Sequence, residues 1–351
     1  MSAAALARPE VLALEAYRPA RQQPGALRLN ANEAPWAFDG APHLNRYPPV
    51  RPRGLHTRLA ALYGVAESSV LATRGTSEAI DLLVRAFCRP GVDSVLVTPP
   101  TFGMYRVYAG IQGAAVLAAP LRGEDFAFDA DAVLAACNAD TKLVFVCSPN
   151  NPTGGLVPRD DVLRLADARR GRSLVVVDEA YVEFSGTESL AAAAAESSNL
   201  VVLRTLSKAL ALAGARCGAL IGPADVVELL DKLLAPYAFA CPVIDQVEAA
   251  LTRSGLQRAE AAARALVDER ERLASALARS ALVERVWPSR ANFLLVRFAD
   301  PARARACIGE HGILVREFDD AALAGCARIT VGTREENERL LAALASAEVA
   351  A

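Results

Sequence analysis

Lys208 is one of only three lysines, with Lys142 and Lys232, among 38 basic residues in this 351-residue chain. Arginine carries positive charge almost everywhere else, so a lysine kept against that bias suits amine chemistry. When desolvated, an amine loses its proton and attacks a carbonyl carbon, which a guanidinium does not do. Thr205 and Ser207 supply hydroxyls just before Lys208, and Arg216 supplies a guanidinium eight residues beyond it. That donor set suits a phosphate carried on the same molecule as the carbonyl. An exposed lysine in a strand-to-helix turn would account for the local sequence equally well.

Four other segments bear on the choice. Arg74-Gly75-Thr76-Ser77-Glu78 follows the apolar run Val70-Leu-Ala-Thr and precedes a helix expected over 79–87. A glycine turn into a helix presents free backbone N–H groups, which make an anion site; a plain N-cap is the simpler alternative. Pro99-Pro-Thr-Phe102-Gly-Met-Tyr105 puts aromatics at a strand end, where Phe102 could cover a flat ring or pack in the core. Cys147-Ser-Pro-Asn-Asn151-Pro-Thr-Gly-Gly155 is dense in turn formers, with Asn151 offering an amide donor, though a turn alone explains its composition. Leu174-Val-Val-Val-Asp178-Glu-Ala-Tyr181 places a carboxylate at the edge of a buried strand, where it is costly unless partnered. A protonated ring nitrogen would be such a partner, and Tyr181 could reach a hydroxyl on the same ring. An amine, a carboxylate for a ring nitrogen, an amide and a phenol for a ring oxygen, and a phosphate cradle together describe pyridoxal 5'-phosphate. No Walker loop, GxGxxG or GxSxG is found, and the three histidines (His43, His56, His311) have no metal-binding spacing.

The elements that must hold these residues follow from hydropathy. Short apolar runs at 69–73, 94–98, 114–118, 143–147, 174–177, 200–203 and 219–221 alternate with helical stretches, which predicts an α/β fold with a mostly parallel sheet flanked by helices. After Pro242 the pattern changes to long helices, one over about 257–280, with strands at 292–298, 313–316 and 327–331 and a last helix from Arg334. This predicts a smaller α+β domain. The expected division is a cofactor-binding domain over 31–240, with an N-terminal arm at 1–30, strand-like at Leu27-Arg28-Leu29, joined to a small domain over 241–351. The length exceeds one ordinary core. A net charge of -2 gives no electrostatic argument for nucleic acid or a membrane surface. Seven cysteines without a CxxC pair read as reduced thiols, which with the absence of a signal-like N-terminus and of a long apolar window predicts a cytoplasmic protein.

In order along nearly the whole chain, LNANEAP at 29–35, NRYP at 45–48, RGTSEAIDLL at 74–83, PPTFGMY, CSPNNPTG, VVDEAY, LRTLSKALALAGARCG and ARITVGTREE at 327–336 resemble the fold-type I pyridoxal-phosphate aminotransferases. The resemblance is to the branch acting on histidinol phosphate. It implies that Lys208 holds the cofactor aldehyde, that Asp178 pairs with the pyridinium, and that Asn151 and Tyr181 bind the ring oxygen. By the same resemblance Thr205, Ser207, Arg216 and the backbone at Gly75, Thr76 and Ser77 hold the phosphate. Substrate contacts are implied at Tyr17, Asn32, Arg316 and Arg328, with Tyr47, supplied by the partner of a homodimer, reaching both substrate and cofactor. Phe102 departs from the tyrosine that relatives often carry, which keeps the stacking surface and loses a hydroxyl. The implied activity is ping-pong transamination between L-histidinol phosphate and 2-oxoglutarate, giving L-glutamate. An aromatic or broad-range aminotransferase, a phospho-amino-acid decarboxylase and a non-catalytic cofactor-binding regulator are the rival readings.

Overall fold

A computed structural model describes residues 3–23, 25–40 and 43–349. Seven strands form the larger sheet: β1 (Val70–Thr73), β2 (Ser94–Val97), β3 (Ala115–Ala118), β4 (Thr141–Cys147), β5 (Leu174–Asp178), β6 (Leu200–Thr205) and β7 (Gly218–Ile221). Their spatial order is β1-β7-β6-β5-β4-β2-β3. Strands β2 to β6 pair in parallel, and β7 runs antiparallel to both neighbours.

The central runs are apolar at consecutive positions because both faces are covered. Val175, Val177, Leu200 and Val202 enter one buried cluster, whereas Leu174, Val176, Val201 and Leu203 enter the other. Alternate residues thus feed opposite faces, as a strand's period of two requires. The carboxyl ends of β4, β5 and β6 lie side by side, with Cys147 opposite Asp178 and Asp178 opposite Leu203. Antiparallel β7 returns the chain beside β6, pairing Thr205 with Gly218, so the excursion carrying Lys208 and Arg216 is pinned at both ends.

A second, wholly antiparallel sheet contains β8 (Val283–Val286), β9 (Phe293–Phe298), β10 (Arg316–Glu317) and β11 (Cys326–Thr330), ordered β10-β11-β9-β8. Its core draws on the helices Arg253–Leu277, Pro301–Glu310 and Arg334–Val349. A bridging cluster that includes Tyr181, Phe184, Ala209 and Phe293 joins the two sheets beside the ends of β5 and β6. At the start of the chain, Ala3, Ala7 and Val11 pack into the core of the larger sheet.

Several expectations need correction. Leu27-Arg28-Leu29 is not a strand: it pairs with no ladder, and both leucines are exposed. The strand expected over 313–316 is only Arg316–Glu317, since these are the residues that meet β11, while Ile313 and Val315 pack against the small core. β8 was not anticipated, because its Val-Glu-Arg-Val sequence is only partly buried and lacks an apolar run. The long helix starts at Arg253, where the Thr252 side chain accepts the Gly255 N–H at 3.3 Å. Among the described residues no helix is long and apolar enough to cross a membrane.

Candidate active site

At the carboxyl ends of β4, β5 and β6 lies a cavity of about 200 Å³. Of the twelve residues expected to hold a cofactor, ten line it; Gly75 lies immediately behind, and Tyr47 lies elsewhere. A larger cavity of about 660 Å³ opens under Glu183 and the long helix, but neither Lys208 nor Asp178 reaches it, so the reactive groups are not there.

One end of the small cavity is an anion cradle. The helix Gly75–Phe87 begins there without a side-chain cap, with the N–H groups of Thr76 and Ser77 in its first turn. Gly75 has φ +75°, and a Cβ added to it would stand 2.8 Å from Arg216 Nη2, so the guanidinium uses the space a side chain would fill. Arg216 itself is left-handed at φ 50°, and its Nη1 donates to Ser207 Oγ at 3.4 Å. Thr205 Oγ1 donates to Ser207 Oγ at 3.0 Å and accepts the Ser207 N–H at 3.1 Å. Two hydroxyls, a guanidinium and a helix start therefore converge on one spot.

The opposite end is built around Asp178, which is 3% exposed. Its Oδ2 accepts the Tyr105 hydroxyl at 2.9 Å and its Oδ1 accepts the Ala180 N–H at 3.1 Å. Burial pushes its pKa up to about 6, opposed by those two hydrogen bonds and by the positive charge of Lys208. Lys208 is reached from solvent through the cavity mouth, yet desolvation by the walls, then the charges of Arg328 and Arg216, lower its pKa from the usual lysine value. Its Nζ lies 5.7 Å from the centre of the Tyr181 ring, and that ring meets Phe293 edge-on. Asn151 is buried and lines the cavity, and its Oδ1 accepts a short hydrogen bond from Arg328 Nη1.

The expected substrate residues are dispersed in the single chain. Arg316 and Arg328 pair in register on neighbouring strands, and neither meets a carboxylate at ion-pairing distance among the described residues. Asn32, left-handed at φ 54°, and Tyr47 line a separate surface cavity, with Tyr47 half exposed and stacked on Tyr237 at 4.6 Å. Tyr17 is 65% exposed in the arm. Glu33 ties this region together: its carboxylate accepts from Arg28, from Arg46 at 2.9 Å and from the Tyr47 N–H at 2.8 Å.

The donor set fits pyridoxal 5'-phosphate. An uncapped helix start with Arg216 matches a phosphate, a buried carboxylate matches a protonated ring nitrogen, and the amine of Lys208 lines the same cavity. Reasoning from sequence missed Tyr105. Its only signal was a second aromatic three residues after Phe102, which reads as core packing.

A family model described as "Aminotransferase class I and II" matches residues 10–344. Histidinol-phosphate aminotransferase of Stenotrophomonas maltophilia is 46% identical over 355 residues, covering 99% of this chain and 98% of that protein. That of Xanthomonas euvesicatoria is 45% identical, covering 97% of this chain and 96% of that protein. Among solved structures, histidinol-phosphate aminotransferase from Sinorhizobium meliloti, in complex with pyridoxal-5'-phosphate, superposes with a TM-score of 0.79 at 24% identity, covering 87% of this chain and 83% of that one. The expected fold-type I architecture is therefore the observed one.

Proposed function

The chain belongs to the class I and II aminotransferases, and from that premise we propose that it moves the amino group of L-histidinol phosphate to 2-oxoglutarate, giving imidazole acetol phosphate and L-glutamate in histidine biosynthesis. Pyridoxal 5'-phosphate is the cofactor, held in the cavity of Lys208. The observation that carries this reading is the meeting, in one cavity, of a partly desolvated amine, a buried carboxylate and an anion cradle. The choice of substrate rests on relatives that are nearly half identical over nearly their full length.

When bound, the cofactor supplies an aldehyde for amines and a protonated ring that accepts the electron pair released at the substrate's Cα. Thr205, Ser207, Arg216 and the first turn of the helix Gly75–Phe87 hold the phosphate. The Asp178 carboxylate holds the ring-nitrogen proton, Asn151 and Tyr181 orient the ring oxygen, and Phe102 covers one face of the ring. Lys208 Nζ, once free, would take the proton from the substrate's Cα and deliver it to the cofactor's aldehyde carbon; desolvation by the cavity walls lowers its pKa, which favours the neutral amine that this role needs. Arg316 and Arg328, adjacent cations without a carboxylate partner among the described residues, bind the phosphate or carboxylate of each substrate in turn.

We take residues 31–240 as the cofactor-binding domain, and the arm at 1–30 with 241–351 as the smaller part. A homodimer completes the site. Nine of the thirteen large apolar side chains exposed among the described residues lie between Leu12 and Tyr47, including Trp36 and Phe38, so this stretch has a surface that a second copy would cover. Seven free thiols favour a cytoplasmic setting.

Absorbance of the bound cofactor tests the substrate assignment with a panel of amino donors. Removing the phosphate from histidinol phosphate should lower kcat/KM by about 100-fold or more, because charge-assisted contacts are lost, whereas replacing imidazole by phenyl should cost far less. If histidinol and its phosphate react equally well, an aromatic or general aminotransferase is the better reading.

A further inference from the structure

Resting on that reading, we propose that Tyr105 is a positioning residue that holds Asp178 ionised and aimed at the cofactor ring. The Tyr105 side chain is fully buried, its ring stacked on Phe145 at 4.7 Å and 8° and set edge-on to Phe102 at 5.6 Å. Clamped on two sides, its hydroxyl is fixed at 2.9 Å from Asp178 Oδ2. The backbone of Ala180 fixes the other oxygen. With one donor on each oxygen, the carboxylate plane cannot turn about its Cβ–Cγ bond without breaking a buried hydrogen bond. Breaking it would leave polar atoms without partners in a dry site, which is costly.

The choice of a phenol matters. Burial, and then the negative charge of Asp178, push the Tyr105 pKa well above its ordinary value. The hydroxyl therefore stays a donor over the whole working range and never competes for the ring proton. A cation here would neutralise the carboxylate and weaken its hold on a protonated ring; a phenol supports the negative charge and leaves it intact. Phe102 lies in the loop after β2 and Tyr105 in the first turn of the helix Met104–Gln112 that follows it, so one short stretch supplies both the face that covers the ring and the support for the group that polarises it.

Tyr105→Phe removes one oxygen and keeps the ring, so it isolates the bond from the packing. For a hydrogen bond to a charged group, the expected loss is about 10- to 100-fold in kcat at saturating cofactor, with KM for the amino donor changed less than about threefold. The dissociation constant for pyridoxal 5'-phosphate, titrated by fluorescence into cofactor-free protein, should rise about tenfold. In an Asp178→Asn background the same substitution should change cofactor affinity by less than about twofold, because its partner charge is already gone. Equal affinity losses in the two backgrounds would make Tyr105 a packing residue, and an unchanged Tyr105→Phe enzyme would remove it from the site; either result overturns the proposal. Should Tyr105→Phe fold poorly, a ring-fluorinated tyrosine at 105 keeps the shape and makes the donor more acidic. It should move the pH dependence of the bound cofactor's absorbance, and an unmoved profile counts against the bond. Failure of the functional reading looks different: the wild-type holoenzyme itself would then not transaminate L-histidinol phosphate, whatever Tyr105→Phe does to cofactor affinity.

Discussion

Lys208 and Asp178 are both held where charge is costly, and the direction of each shift has a consequence that can be measured. Lys208→Ala should abolish transamination while cofactor still binds through its phosphate, and borohydride reduction of the wild-type holoenzyme should put the pyridoxyl label on Lys208. A label on Lys142 or Lys232 would sink the assignment. For Asp178 the sign follows from its pKa of about 6 in the folded chain against an ordinary value of 3.8. Between about pH 4 and 6 the folded, cofactor-free protein keeps a proton that the unfolded chain has released, so stability falls as pH rises through that window. The carboxylate then destabilises the empty site at neutral pH by an amount on the order of 3 kcal/mol at most. Asp178→Asn, stripped of cofactor, should therefore melt at a higher temperature than wild type at pH 8 and at the same temperature near pH 4. With cofactor and substrate present the substitution should lower kcat roughly 100-fold or more, since a neutral amide cannot hold the ring-nitrogen proton. A site built for function at the expense of empty-state stability shows both effects together. A melting temperature unaffected at pH 8 would mean that the carboxyl is not desolvated as its burial implies.

The elements set these residues through close backbone approaches that only glycine permits, and the two glycines involved fail in different ways. At Gly75 an added Cβ meets Arg216 Nη2, the movable end of a side chain, so Gly75→Ala should fold but push the guanidinium off the phosphate site. The expected outcome is cofactor affinity weakened about tenfold or more, from the positive φ and the displaced cation together, read by titrating cofactor into the stripped protein. At Gly218 the same atom would stand 2.6 Å from the Arg204 carbonyl and 3.1 Å from Gly75 Cα. Neither can step aside, so Gly218→Ala should show itself first as a lower melting temperature. Much of this framework was legible in the sequence, because apolar runs such as Leu174–Asp178 and Leu200–Thr205 end abruptly in turn formers and place their last residues at one sheet edge. The antiparallel course of β7 was not legible: Gly-Ala-Leu-Ile carries no sign of direction, which is set by closure of the Lys208 excursion against β6. Leu27-Arg28-Leu29 misled because a strand-like triplet needs a neighbour to pair with, and none meets it among the described residues. Tyr105 escaped because its partner lies 73 residues away and its own surroundings are apolar. Local sequence had no means of giving its bond.

At the scale of the whole molecule, the single chain leaves Tyr47 outside the cavity of Lys208. The tyrosine is half exposed, stacked on Tyr237, and anchored through its N–H to Glu33, which in turn is held by Arg28 and Arg46. Such bracing makes little sense for a loose surface aromatic, and it suits a side chain presented to another subunit from a rigid mount. In a closed two-fold dimer each site would take Lys208 from one chain and Tyr47 from the other. Lys208→Ala and Tyr47→Ala homodimers should then both be poor enzymes. When the two variants are mixed, one site of each hybrid carries both defects and the other carries neither. With equal amounts and random exchange, half of the dimers are hybrids with one intact site in two, so roughly a quarter of wild-type activity should return. Exchange is followed separately, by mass difference between tagged and untagged chains, so that a silent mixture is not mistaken for a negative result. If the subunits have exchanged and no activity returns, Tyr47 serves its own chain's site or lies outside the chemistry, and the exposed apolar stretch between Leu12 and Tyr47 must be covered in some way that leaves each site to a single chain.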